Sequence, residues 1–162
     1  MTERLLLVSD THGDLQAILS YIRNTPGIDR ILHMGDHAWD AEEMQQMLGR
    51  VVLGVRGNND WGSPAPWEYT LFVEGFSLLL THGHRYGVHF DRLPLVHHAR
   101  KQLADIVLYG HTHRFAVEKI NNIWAINPGS PSRPYDGAPS CAVLTLTKGK
   151  EPKVEHVVLD EA

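Results

Sequence analysis

The first 55 residues alternate short apolar runs with stretches of helical spacing, and this alternation restricts the fold more than any other feature of the chain. Residues 4–9 (RLLLVS) show no polar alternation, as suits a strand buried on both faces. Leu15, Ile18, Leu19 and Ile22 then recur at one-face helical spacing, with Asp14 placed to cap the helix and Pro26-Gly27 to end it. Residues 29–34 (DRILHM) predict a second strand, Asp40 to Leu48 a second helix stopped by Gly49, and residues 51–55 (VVLGV) a third strand. This β-α-β-α-β order implies parallel strands joined by helical crossovers. From Trp67 the pattern changes. WEYTLFVEGFSLLLTH predicts two strands joined at Glu74-Gly75, residues 92–104 a helix with Pro94 in its first turn, and residues 105–109 (DIVLY) another buried strand. FAVEKI and IWAIN make a hairpin across Asn121-Asn122, residues that tolerate positive φ, and a last hairpin turns at KGKEP. Helices come early and strands late, so the expectation is an α/β sandwich of sheets flanked by helices, in one domain over 1–162.

Composition narrows the functional classes. With 15 basic and 19 acidic residues the net charge is −4, which gives no basic footprint for nucleic acid. The single Cys141 excludes an intramolecular disulfide framework. The apolar part of MTERLLLVSD is too short for a secretory signal and no run has the length of a membrane span, so a cytoplasmic protein is expected. Eleven histidines form the one unusual count, and most fall in or beside short polar segments.

Those segments follow the apolar runs. Asp10 and His12 follow the first strand, Asp36 the second and Asn58 the third; His82 follows SLLLT, and His111 and His113 follow DIVLY. In α/β folds ligands bind outside the carboxyl ends of strands. Strand alternation also puts His111 and His113 on one face. Five strand ends thus offer seven oxygen or nitrogen donors. Seven exceed one tetrahedral zinc but suit two ions if one carboxylate bridges. Mixed imidazole, carboxylate and amide donors without thiolate suit Mn, Fe, Co, Ni or Zn rather than Ca or Mg. Adjacent glycines (Gly13, Gly35, Gly57, Gly83, Gly110) are expected to let the backbone turn sharply.

The five blocks D-x-H (Asp10, His12), G-D (Asp36), G-N-x-D (Asn58, Asp60), H-G-H (His82, His84) and G-H-T-H (His111, His113) resemble the calcineurin-like metallophosphoesterase superfamily, in its order. NPGSPSRP at 127–134 is similar to the closing segment of the small bacterial and archaeal phosphodiesterase branch. The resemblance implies a four-layer α/β/β/α sandwich of two mixed sheets. It implies one metal on Asp10, His12, Asp36 and His113 and a second on Asp36, Asn58, His82 and His111, with Asp36 bridging. The cofactors would be two divalent transition metal ions, manganese first, with Ni, Co, Fe or Zn as alternatives. A hydroxide between them would attack phosphorus in a small phosphodiester or activated phosphate ester.

Many family members place a histidine after the G-N of this block, where it can protonate the leaving oxygen; here that position is Asn59. An amide cannot transfer a proton at pH 7, and general acid help is commonly worth ~10²–10⁴-fold. Good leaving groups, as in aryl phosphodiesters, are therefore expected over alkyl monoesters. The catalytic set read this way is Asp36, Asn59, His84 and Arg56, with Arg56 and Arg133 as phosphate contacts. Asn127 and Ser130 are read as orienting ligands such as His82 or His113. Asp60 is read as a structural cap or as orienting a ligand rather than as a catalyst, His33 as a core histidine and His37 as a cleft-lining one. His89, His97, His98 and His156 are read as surface or helix residues, and Trp39, Trp61, Trp67 and Trp124 as core or cleft wall. Small members of the branch are often dimers or tetramers, which makes a homo-oligomer an option. The alternative function is a catalytically weak scaffold acting through protein binding, as the similar retromer subunit does with eroded ligands; here every ligand position carries a donor.

Overall fold

The computed structural model describes residues 1–159. The run 4–9 lies in β1 (Thr2–Val8), where Leu5, Leu6, Leu7 and Val8 are all fully buried. The reason is two-sided packing. Leu5 and Leu7 enter a core between two sheets, while Leu6 and Val8 face α1 (Gln16–Arg23) and α2 (Trp39–Leu48). β1 pairs in parallel with β2 (Arg30–His33), which pairs in parallel with β3 (Val52–Gly54). The early β-α-β-α-β reading therefore holds. The first sheet is completed by β9 (Ser140–Thr147), antiparallel to β1, and β10 (Lys153–Val158).

The second sheet runs β4 (Glu68–Val73), β5 (Phe76–Thr81), β6 (Ile106–Leu108), β8 (Ile123–Pro128), β7 (Phe115–Ile120). Its central strands β5, β6 and β8 are parallel and its edges antiparallel. Leu78 and Leu80 join the core between the sheets, and Leu79 turns outward to α3 (Leu93–Lys101). Each such side chain contributes roughly 1.5–3 kcal/mol on burial, so the apolar runs themselves hold the layers together. Helices thus cover both outer faces, giving the expected α/β/β/α order. Among the described residues no helix is long and apolar enough to cross a membrane.

Two local readings need correction. Asp14 does not cap α1: the cap position is Leu15, with no side-chain cap hydrogen bond, and Asp14 Oδ1 only accepts from the Gln16 N–H at 3.4 Å. The third helix stops at Lys101 rather than 104. Its end is a Schellman closure, in which the Ala104 N–H donates to Ala99 O and the Leu103 N–H to Arg100 O. Leu103 takes the left-handed position, φ 59°, that glycine usually marks, so the sequence carries no stop signal there.

The Asn-Asn turn behaves as read. Ile120 pairs with Ile123 across it, and Asn121 and Asn122 have φ of 51° and 65°, as a two-residue type I′ loop demands. Asn122→Gly is expected to keep or raise the urea midpoint, whereas Asn122→Val loses about 1–2 kcal/mol. Equilibrium urea unfolding of the two variants checks this, and equal behaviour would contradict the turn geometry.

Candidate metal centre

The carboxyl ends of β1, β2, β3, β5 and β6 meet at one edge of the sandwich. The Asp10 N–H donates to Gly35 O at 2.9 Å and the Gly110 N–H to His82 O at 3.0 Å, tying neighbouring loops together. The chain leaves its strands under strain. Asp10 (φ 58°), His12 (48°), Asp36 (56°), His111 (73°) and His113 (58°) all occupy the left-handed region. Each costs about 1–2 kcal/mol in a residue with a Cβ, and such outliers persist where surrounding contacts fix them. The glycines contribute in two ways. Gly35 turns at φ 96°, but Gly57 and Gly110 do not have positive φ. They supply space instead of the sharp turn expected of them: a Cβ on Gly57 would lie 2.2 Å from Asp36 Oδ1, and one on Gly110 2.0 Å from Ser9 Oγ.

Six of the seven predicted donors fall into two groups that share Asp36. Asp10, His12, Asp36 and His113 have donor atoms within 4.8 Å of one another, as do Asp36, His82 and His111. The His82 Nδ1–H donates to Met34 O at 2.8 Å and the His113 Nδ1–H to Arg133 O at 2.6 Å. Those bonds fix the tautomers and leave both Nε2 atoms facing the site. His82 Nε2 lies 3.2 Å from His111 Nδ1 and 3.4 Å from Asp36 Oδ1. His113 Nε2 lies 3.4 Å from His12 Nε2 and 3.3 Å from Asp10 Oδ1. Asp10 Oδ1 is buried with no hydrogen-bond partner, although Asp10 Oδ2 accepts from Ser9 Oγ and the His111 N–H. An orphaned buried carboxylate oxygen facing converging imidazole nitrogens fits a cation, whether a metal ion or the proton of a neighbouring imidazole.

Charge in the metal-free chain follows the same geometry. Burial works to raise the Asp36 pKa, but His82 and the two Asn59 donors outweigh it and hold the carboxyl well below the usual range. Burial likewise opposes the charge on Asp10, and the His113 and His82 imidazoles again win. Burial works to lower the pKa of His82 and His113, yet Asp36 beside the first and Asp10 beside the second raise both. Their partners move the other way. Burial, with His82 next, takes His111 down to about 4, and burial also lowers His12. One imidazole in each group thus favours a proton where a cation would sit.

The asparagine pair departs from a simple reading. Asn58 is exposed and its side chain makes no hydrogen bond among the described residues. Asn59, in contrast, donates from Nδ2 to Asp36 Oδ2 at 2.8 Å and from its backbone N–H to Asp36 Oδ1 at 3.1 Å. Asp60 is buried and clamps two loops, accepting from the N–H groups of Gly57, Asp36 and Ala38. His33 is the satisfied core histidine expected of it. Nδ1 accepts from the Gly35 N–H, so Nε2–H donates to Thr11 Oγ1, and burial pushes its pKa down to about 4.

Other expectations fare unevenly. Asn127 and Ser130 do not touch the rings of His82 or His113. Asn127 Nδ2 donates to Gly110 O and Thr112 Oγ1, and Ser130 Oγ donates to Asp10 O, so both fix loop backbone instead. Arg133 is exposed; its carbonyl accepts from His113, and its positive charge adds to the lowering of the His12 pKa. His37 donates from Nδ1 to Asp40, whose other oxygen accepts the Gly13 N–H, and its ring stands half-exposed beside Gly13. Trp61 is 85% exposed and is not a core residue. His84 lies 5.5 Å from the His82 ring, and Arg56 stacks on Trp67.

Sequence reasoning missed His89, whose ring stands edge-on to His111 at 4.5 Å, and Tyr135, stacked on His113 at 4.6 Å. It also missed Asp40. His98, read as a surface or helix residue, lies in α3, binds Glu68 at 2.9 Å and stacks on Tyr86. For His89, Tyr135 and His98 only the packing brings the partners together, whereas Asp40 meets His37 three residues away.

A model of the calcineurin-like phosphoesterase superfamily domain matches residues 4–149. The phosphodiesterase YfcE of Escherichia coli is 30% identical over 163 residues, covering 85% of this chain and 84% of its own. A conserved Streptococcus pneumoniae protein, named a predicted phosphoesterase, superposes with a TM-score of 0.84 at 24% identity over 98% of this chain and 90% of its own. Vps29 of Entamoeba histolytica, in complex with zinc, gives 0.78 at 24% identity over 96% and 98%.

The spacing around Asp36 yields a sharp expectation. Gly57→Ala would set a Cβ 2.7 Å from Asp36 N as well as against its carboxylate, so the Asp36 loop must move. We expect the variant to fold but to bind manganese at least ten-fold more weakly in calorimetry. Unchanged affinity would contradict the close approach.

Proposed function

Because the chain belongs to the calcineurin-like phosphoesterase superfamily, we propose that it is a phosphodiesterase using two divalent metal ions, manganese first, with Ni, Co, Fe or Zn as alternatives. The observation that carries this reading is the pair of donor groups sharing Asp36. Asp10, His12, Asp36 and His113 would hold one ion; Asp36, His82, His111 and the exposed Asn58 would hold the other. When bound, two such ions would supply positive charge for the phosphoryl oxygens and make water more acidic at neutral pH.

The chain's own residues set the rest. Met34 O and Arg133 O aim the lone pairs of His82 and His113. Asn59 and Asp60 fix Asp36 from its carboxylate and its backbone sides. Asn59 offers the leaving group no proton, and its amide is already engaged with Asp36. That favours aryl diesters, whose leaving oxygens depart without protonation, over alkyl monoesters. The substrate class is accordingly a small phosphodiester or activated ester. A scaffold acting through protein binding rests only on likeness of fold, and the filled donor positions speak against it. A folded chain that binds no transition metal in calorimetry would favour it.

Two outcomes follow. Since His82 and His113 have raised pKa values in the metal-free chain, ion binding must displace their protons. Affinity for manganese should hold above those raised values and fall as pH drops through them; pH-independent affinity between 7 and 5 would refute the ligand set. Asn59→His should raise hydrolysis of alkyl monoesters relative to bis(4-nitrophenyl) phosphate about ten-fold or more. An unchanged ratio would refute the role given to position 59.

A further inference from the structure

Beside the His82–His111 group lies a second concentration of positive charge. The Arg56 guanidinium carbon sits 4.1 Å from the centre of the Trp67 ring, and that of Arg85 sits 4.9 Å from it. The His84 ring lies 5.6 Å from Trp67, 5.5 Å from His82 and 6.1 Å from His111, so it joins this cluster to the candidate metal centre. Two polar atoms in the cluster, Arg56 Nε and His84 Nδ1, are buried and have no hydrogen-bond partner. The one hydrogen bond of the Arg56 side chain, from Nη2 to Asp60 O, is long at 3.5 Å.

Other arginines of this chain solve the same problem with a carboxylate. Arg30 pairs with Glu3 at 2.7 Å and Arg92 with Glu118 at 2.9 Å. Among the described residues no carboxylate pairs with Arg56 or Arg85. In a chain of net charge −4, two cations on one indole with no anion between them is an unbalanced arrangement. Stacking on tryptophan holds guanidinium planes in place while leaving their N–H edges free. Free, pre-oriented guanidinium edges bind phosphate in a forked geometry. Arg56 Nε, a buried donor without a partner, calls for an acceptor that the protein itself does not provide.

We propose that Arg56, Arg85 and His84, arranged around Trp67, form a subsite for a second phosphoryl group on the substrate, next to the one that is cleaved. This rests on the phosphodiesterase reading and narrows it to esters that carry a further phosphate. Arg56 and Arg85 contact that phosphate through guanidinium N–H groups, and His84 donates or accepts between it and the reacting group.

The test compares two esters that share a leaving group: thymidine 5′-(4-nitrophenyl phosphate), with and without a 3′-phosphate. In the manganese-loaded wild type the 3′-phosphate should raise kcat/KM about ten-fold or more, chiefly through KM, as a charge-assisted hydrogen-bonded contact would. That ratio should fall towards one in Arg85→Gln and in Arg56→Gln. Arg85 is exposed, so Arg85→Gln decides the matter alone should Arg56→Gln fail to fold. A wild-type ratio of one or below, or a ratio that survives both substitutions, overturns the subsite. If neither ester is cleaved, the phosphodiesterase reading fails. Titration of inorganic diphosphate into the protein then decides the subsite separately: a ten-fold loss of affinity in Arg85→Gln supports it, and equal affinity overturns it.

Discussion

Asp36 stands where two groups of metal-ligand donors meet, and most of the surrounding structure can be understood as holding its carboxylate still. Asn59 donates to both oxygens, Asp60 takes its backbone N–H, and Gly57 leaves room that a Cβ would take from the carboxylate. A carboxylate so constrained cannot relax away from neighbouring imidazoles, and the imidazoles cannot relax away from one another. The cost is visible in the backbone, where five candidate ligands adopt left-handed conformations. Such strain is sustained because rigid parallel strands with fully buried side chains feed every loop.

The two sheets contribute different things. The first supplies both carboxylates, from the ends of β1 and β2, and the second supplies His82, His111 and His113. Neither sheet alone carries a complete group. The centre therefore depends on the core between the sheets, where Leu5, Leu7, Leu78 and Leu80 fix their separation. The same junction brings Arg56, from the first sheet's side, against Trp67 and Arg85 on the second. Stability and chemistry are coupled here through geometry: what packs the sheets also sets the distances between donors.

Much was legible in the residues because burial on both faces leaves an unmistakable mark. RLLLVS and SLLLT have no polar alternation, and each ends abruptly in Asp or His. The Asn-Asn and Glu-Gly turns were legible for a different reason, since few residue pairs accept positive φ. The illegible parts share a cause. Leu103 ends α3 in a conformation glycine would have announced, and Leu15 replaces Asp14 at the start of α1. His89 and Tyr135 reach the site from segments with no pattern, because a single contact made across the fold leaves no periodic trace.

The sequence by itself determined that polar donors would follow buried strands, and local physics enforces this: apolar runs must be interior, and polar groups can begin only where they stop. It also determined that position 59 holds an amide rather than an acid–base group. Only the tertiary structure decided how close the candidate donors come to one another, which way Asn59 points, and that Arg56 and Arg85 meet over one indole. Those are distances between residues far apart in the chain, set by how two sheets pack, and no local propensity encodes them.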